Sequence, residues 1–201
     1  MSQIFDLISN DFHKKCLYAL LQILLDHLNQ HKIFYFIDGG TLLGAIREGD
    51  IIAHDDDIDI GILDEDFDKL EPLLDDLDGE EIFVGDKIYN IHIQIVNCIL
   101  KLFLYCKSDL GMPCIDIFKW TKEDGKYQLL PKEFRNQFKN CYYEIDEMYP
   151  RNNYYINDIE VKGANNGHAY LFRYYGDDCL KVKKRYLRDE KGFKNDFVII
   201  E

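Results

Sequence analysis

Residues 54–60 read HDDDIDI, which sets Asp55, Asp56, Asp57 and Asp59 almost side by side. Like charges so close repel and cost stability unless a cation sits among them. Isoleucines at 58, 60 and 62 alternate with Asp57, Asp59 and Gly61, the period of a strand that keeps one face in the core. Residues two apart on a strand point the same way, about 6.5 to 7 Å apart, so Asp57 and Asp59 present two carboxylates on one face. Hard carboxylate oxygens at that spacing suit Mg²⁺ or Mn²⁺, ions that keep waters and recruit phosphate oxygens as further ligands. A solvated acidic run has no reason to interleave isoleucines at period two, which favours a metal site over a polar surface.

Metal-assisted phosphate chemistry needs a further acidic group to hold a second ion or take a proton from the nucleophile. Ile115-Asp116-Ile117 repeats the pattern of Ile58-Asp59-Ile60, so Asp116 completes a triad if the two strands are neighbours. Upstream, an apolar run ends in Asp38-Gly39-Gly40-Thr41 and a short helical segment, TLLGAIR, follows. Backbone N–H groups at a helix N-terminus attract phosphate, and glycines let it approach closely, so Gly39, Gly40 and Thr41 are candidate phosphate contacts. Arg47, at the far end of that helix, offers a rigid donor fork for a second contact. Other groups are less telling. His54 reads as polar and exposed rather than as a ligand. Cys98, Cys106 and Cys114, with His92, have no zinc-site spacing, and the cysteines read as buried thiols in strands. The basic run KVKKRYLR, with Lys181, Lys183, Lys184, Arg185 and Arg188, reads as a solvated helix face.

These side chains need elements to position them. Phe12, Cys16, Leu17, Leu20, Ile23, Leu24 and Leu28 recur at helical spacing over 11–31, with Asp11 in the first turn. IFYFI at 33–37 reads as a buried strand and DEDFDKLEPLLDDL at 64–77 as an acidic helix, with Pro72 against its continuity. Strand candidates crowd 82–119, and beyond Lys122 the pattern is irregular, aromatic and Asn-rich, with helices expected near 131–139 and 166–175. The order argues for an α+β fold with a mixed sheet. We expect a single domain with its core at about 33–120 and a helical or irregular C-terminal part at about 121–201.

Composition excludes several partners. Twenty-four basic against 37 acidic residues give a formal net charge of −13, which argues against nucleic acid or anionic membrane as a partner. No stretch approaches the about 18 apolar residues of a membrane span, and the first residues lack the pattern of a secretory signal. Six cysteines are scattered without a CxxC pair and there is no Asn-X-Ser/Thr site, so a reduced, cytoplasmic protein is the expectation.

Taken together, FYFIDGGTLLGAIREGDIIAHDDDIDIGIL resembles the phosphocholine transferase (LicD) family, which includes the fukutin-like ribitol-phosphate transferases, within the nucleotidyltransferase superfamily. CIDIF is similar to the family's third-carboxylate strand and YYGDDC at 174–179 to its Tyr-Gly-Asp segment, here Tyr175, Gly176 and Asp177. His54 stands where family members commonly have tryptophan, and Cys179 replaces an aromatic residue. The resemblance implies a nucleotidyltransferase-like sheet flanked by helices. It also implies Mg²⁺ or Mn²⁺ at Asp57 and Asp59 with Asp55 as an additional ligand, a third acidic role for Asp116, and nucleotide phosphates at Gly39, Gly40 and Thr41 with Arg47 close by. The implied reaction moves a phospho-alcohol from a CDP-alcohol or other nucleotide donor to a glycan hydroxyl. Two alternatives stay open: transfer of NMP from an NTP to a small molecule or protein, and a noncatalytic scaffold that keeps the metal site.

Overall fold

The computed structural model describes residues 11–53, 55–106, 112–189 and 192–200. Its first element, helix α1 (Asp11–Gln30), buries Cys16, Leu17, Leu20, Leu21, Leu24 and Leu28 along one stripe, as the helical spacing requires. Strand β1 (Tyr35–Ile37) then runs into helix α2 (Gly39–Arg47), and β2 (Asp57–Leu63) into α3 (Asp64–Asp75). Pro72 is accommodated inside α3. The carbonyl four residues back belongs to exposed Asp68, where water can replace the bond that proline cannot donate.

Strands β3 (Glu81–Val84), β4 (Lys87–Val96), β5 (Ile99–Tyr105) and β6 (Cys114–Glu123) form an antiparallel meander. Beyond it come β7 (Lys126–Leu130), α4 (Phe134–Gln137), β8 (Tyr142–Glu144), α5 (Ile145–Met148), β9 (Asn152–Ile156), β10 (Ile159–Gly163) and α6 (Gly167–Tyr175). The main sheet has the order β3-β4-β5-β6-β2-β1-β10-β9, with β7 and β8 attached beyond β6. It is mixed: β2 lies parallel to β6 and β1 parallel to β10, while the other pairs are antiparallel. Helix α1 packs on β2, β3, β5 and β6, and α3 on β2 and β6. The α+β expectation with a mixed sheet holds.

The C-terminal part differs from the helical expectation. Its longest described helix is α6, and five strand partners arise between 126 and 189, including β11 (Lys183–Asp189), which pairs with β12 (Gly192–Ile200). Asp124 and Gly125 both adopt positive φ and close the β6–β7 hairpin, a turn that matches the twist of the strands it joins. Of the basic run expected as a helix face, Lys183, Lys184, Arg185 and Arg188 lie on β11 instead, and Lys181 sits in the turn before it. The helix expected over 131–139 shrinks to the four residues of α4.

Inside the sheet, Phe36 lies opposite Gly61, and a Cβ on that glycine would stand 2.3 Å from the ring. The missing side chain lets Phe36 lie across β2, edge-on to Trp120 and Tyr143, each with ring centroids 5.5 Å away. Among the described residues no helix is long and apolar enough to cross a membrane, no disulfide joins any of the six cysteines, and Cys98 is exposed in the β4–β5 turn rather than buried in a strand.

Candidate active site

The aspartates converge because of strand register. Asp59 pairs with Asp116 across the parallel β2–β6 ladder, and Asp57 pairs with Cys114 one step along. Registered partners point to the same face, so two rows cross the ladder side by side, Asp59 with Asp116 and Asp57 with Cys114. Ile58, Ile60, Ile115 and Ile117, on the opposite face, have no exposed surface and anchor both strands in the core. Ligand atoms of Asp57, Cys114 and Asp116 lie within 4.8 Å of one another, and so do those of Asp55, Asp56 and Asp57. Asp57 belongs to both groups.

The segment carrying Asp55 is held in place by α1. Lys14 Nζ donates to Asp50 Oδ2 and to the Ile51 carbonyl, both at 2.7 Å, and Tyr18 donates to Asp50 Oδ1 at 2.5 Å. His13 Nε2 meets the Asp56 carbonyl at 3.0 Å. Ile51 and Ile52 are buried beneath. His54 lies outside the described residues.

The glycine turn closes the other side. The Gly40 N–H donates to Asp59 Oδ2 at 3.2 Å, and the Asp59 N–H donates to Thr41 Oγ1 at 2.7 Å. A Cβ on Gly39 would lie 2.8 Å from Asp59 Oδ2, and one on Gly40 would lie 2.7 Å from Asp55 Oδ2. Gly39 also has φ +49°, a conformation that favours glycine. The two glycines are therefore where the backbone of α2 touches the acidic cluster.

Crowding shows in the electrostatics. Burial, then the charges of Asp57, Asp55, Asp116 and Asp38, push the Asp59 carboxyl well above the usual carboxylate range. Asp116 is paired with Lys101 of β5, whose ammonium contacts both carboxylate oxygens. Burial and the neighbouring Asp116 and Asp57 charges push the Cys114 thiol up, so this sulfur is protonated and its Sγ lies 3.7 Å from Asp116 Oδ1.

Asp38, at the N-cap of α2, makes no capping bond with its side chain. It turns inward and accepts from Tyr143 at 2.7 Å, and burial raises its pKa while that hydroxyl and Tyr170 oppose the rise. Tyr143 and Tyr170 stack with centroids 4.0 Å apart, so α6 and β8 together brace the turn. At the end of α6, Tyr175 approaches the same place: its hydroxyl is 3.6 Å from a Cβ position on Gly39, and burial with the nearby Tyr174, Asp59 and Asp38 keeps that hydroxyl protonated.

The structure thus brings Asp55, Asp57, Asp59, Asp116, Gly39, Gly40 and Thr41 together. Arg47 is employed differently from the phosphate contact expected of it. Its Nε and Nη2 donate to Glu48 Oε1 at 3.2 and 2.8 Å, and its Nη1 donates to the Cys179 carbonyl at 3.1 Å. It ties the segment after Tyr175-Gly176-Asp177 to α2. Sequence reasoning missed Lys101, Tyr143 and Tyr170 at the site. For Lys101 a signal exists: it interrupts Leu100, Leu102 and Leu104 at period two, which turns its side chain to the face opposite the core.

A glycine turn at a helix N-terminus is thus set against carboxylates on adjacent strands of a mixed sheet. A family model described as LicD/FKTN/FKRP, nucleotidyltransferase domain, matches residues 32–166, and the chain belongs to that family. It is 32% identical over 160 residues to the uncharacterized protein RP689 of Rickettsia prowazekii, a match covering 79% of this chain and 53% of that one. A shorter match joins it to the human ribitol 5-phosphate transferase FKRP, 54% identical over 39 residues, which are 19% of this chain and 8% of that protein. The chain spans about half the length of the rickettsial relatives it matches. Among solved structures, the lincosamide antibiotic adenylyltransferase LnuA, bound to lincomycin, superposes with a TM-score of 0.45 and 18% identity, covering 80% of this chain and 94% of that one.

Proposed function

We infer that this chain is a metal-dependent phosphotransferase that moves a phospho-alcohol, such as phosphocholine or phosphoribitol, from a CDP-alcohol to a glycan hydroxyl. The observation that carries the reading is the register of Asp59 beside Asp116, with Asp57 one step away and the Gly40 amide on Asp59. Membership of the LicD/FKTN/FKRP family supports it, as does the local identity to a protein named for ribitol 5-phosphate transfer.

The donor set fits a hard divalent cation. Carboxylates supply the oxygens, and mutual repulsion already raises the Asp59 carboxyl, a penalty that a cation among the aspartates would relieve. Asp57 and Asp59 would hold Mg²⁺ or Mn²⁺, with Asp55 as a further ligand. Bound there, the ion would neutralise donor phosphate charge and polarise the phosphorus.

The chain's own groups do the rest by positioning. Gly39 and Gly40 let the N-terminus of α2, where the helix dipole favours negative charge, come up against Asp55 and Asp59, beside which the donor phosphates would lie. Asp116 accepts the proton of the attacking glycan hydroxyl. A bond forms from that oxygen to the phosphorus bearing the alcohol, the phosphorus–oxygen bond to CMP breaks, and CMP leaves with the electron pair. Tyr143 and Tyr170 hold Asp38, and through it the turn, so that these groups need no rearrangement.

The test is product analysis with the purified chain, Mn²⁺, a panel of glycan acceptors and either CDP-choline, CDP-ribitol, CTP or ATP. Release of CMP from a CDP-alcohol, lost in Asp57→Asn, is the expected result. Pyrophosphate released from an NTP, with CDP-alcohols inert, would replace this reading with nucleotidyl transfer.

A further inference from the structure

The residue next to the triad is a cation. Lys101 on β5 is the registered partner of Asp116 on β6, and Asp116 is the registered partner of Asp59 on β2, so the three stand in one row across adjacent strands. The ammonium touches both oxygens of Asp116. The pair is well shielded, with 19% of the lysine side chain and 8% of the aspartate side chain exposed. Ordinary cross-strand ion pairs at a sheet surface are open to water and weak. This one is enclosed and lies against the cluster that includes Asp57 and Cys114.

An ion bridging Asp116 to Asp57 or Asp59 would have to share a carboxylate oxygen with Lys101. Leu100 and Leu102, which are 3% and 0% exposed, fix the backbone of residue 101, so the ammonium would stay within one lysine side-chain length of the ion. It would remain beside a doubly charged ion, where like charges repel in a partly desolvated setting. We propose that Lys101 is the built-in cation of the third carboxylate, standing in for a second metal, so that the chain binds a single divalent ion, on the Asp55–Asp57–Asp59 side. The proposal rests on the metal-dependent reading above and specifies its metal count and a further positioning residue, Lys101.

The measurement is Mn²⁺ binding to the EDTA-stripped full chain, by calorimetry and by the electron paramagnetic resonance signal of free Mn²⁺, with no nucleotide present. Wild type is expected to take up one ion per chain. Lys101→Met and Lys101→Gln, checked for folding by circular dichroism, are expected to take up two, while Lys101→Arg, which keeps the charge, stays at one. Two ions in wild type would overturn the proposal and leave the phosphotransferase reading intact. One ion in folded Lys101→Met or Lys101→Gln, with unchanged affinity, would overturn it as well. No Mn²⁺ uptake by wild type would overturn both this proposal and the metal-dependent reading. A wild-type count of one supports the proposal even if a variant fails to fold.

Discussion

Replacing Asp59 with asparagine should make the metal-free protein more stable while removing its response to metal. Asp59 sits among Asp57, Asp55, Asp116 and Asp38, and burial and these neighbours raise its pKa well above the ordinary carboxylate value. A single like charge two residues along a strand, at about 7 Å and an effective dielectric of about 20, costs about 2.4 kcal/mol. Asparagine removes that repulsion, and its carbonyl oxygen can still accept the Gly40 N–H. For a chain of this size, about 2 to 4 °C per kcal/mol turns the gain into roughly 5 to 10 °C in melting temperature. The sign with pH follows from the raised pKa. Between the unfolded carboxyl's pKa and the higher folded value, the folded chain binds more protons, so the Asp59 contribution lowers stability as pH rises through that window. The advantage of Asp59→Asn should therefore grow with pH between about pH 5.5 and about pH 8.5, because the wild-type carboxyl keeps its proton on the acid side of its raised pKa and loses it on the alkaline side. Melting curves in EDTA at both pH values, repeated with Mn²⁺, read all of this. An EDTA melting temperature for the variant at or below wild type at about pH 8.5 would refute the reasoning about crowded charge.

Three further substitutions probe the supports of the site. Gly40→Ala sets a Cβ where Asp55 Oδ2 now lies, 2.7 Å away, and should weaken Mn²⁺ binding about tenfold, or about 1.4 kcal/mol, as read by calorimetry. Tyr143→Phe removes the hydroxyl that donates to buried Asp38 and should cost about 1.5 to 3 kcal/mol in urea denaturation, with an unchanged midpoint counting against Tyr143 as the brace of the turn. Gly61→Ala drives a methyl to 2.3 Å from the Phe36 ring and should cost about 1 to 3 kcal/mol. Adding Phe36→Leu to Gly61→Ala should recover part of that loss, and a strictly additive double mutant would contradict the clash.

What was legible in the sequence was what alternation and glycine turns can encode. Ile58, Ile60, Ile115 and Ile117 announced two buried strands whose aspartates share a face, and Asp38-Gly39-Gly40 announced the turn into α2. Register between β2 and β6 was not legible, because the two strands are separated by a helix and the β3–β5 meander. Asp116 could be named a partner, yet its pairing with Asp59 rather than Asp57 came from the fold. The strand content after Lys122 was masked by aromatic and Asn-rich composition. Two local signals were present all the same: Asp124-Gly125 at the β6–β7 turn and Asn157-Asp158 between Ile156 and Ile159, which closes β9 onto β10. Arg47 illustrates the remaining gap. Its place at the end of α2 was predictable, but its partner, the Cys179 carbonyl, lies 132 residues away, and such a contact leaves no trace in local pattern.

The central claim is that the aspartate cluster holds a divalent ion that in turn holds the donor nucleotide. The most direct measurement is a thermal-shift comparison of wild type and Asp57→Asn with CMP, CDP-choline, CDP-ribitol, CTP, ATP and UTP, each with and without Mn²⁺. A ligand at one hundred times its dissociation constant stabilises the folded chain by about 2.7 kcal/mol. The account predicts a shift of that size for a CDP-alcohol that requires Mn²⁺ and vanishes in Asp57→Asn. A shift by the same ligand that survives without Mn²⁺, or that persists in Asp57→Asn, would contradict it.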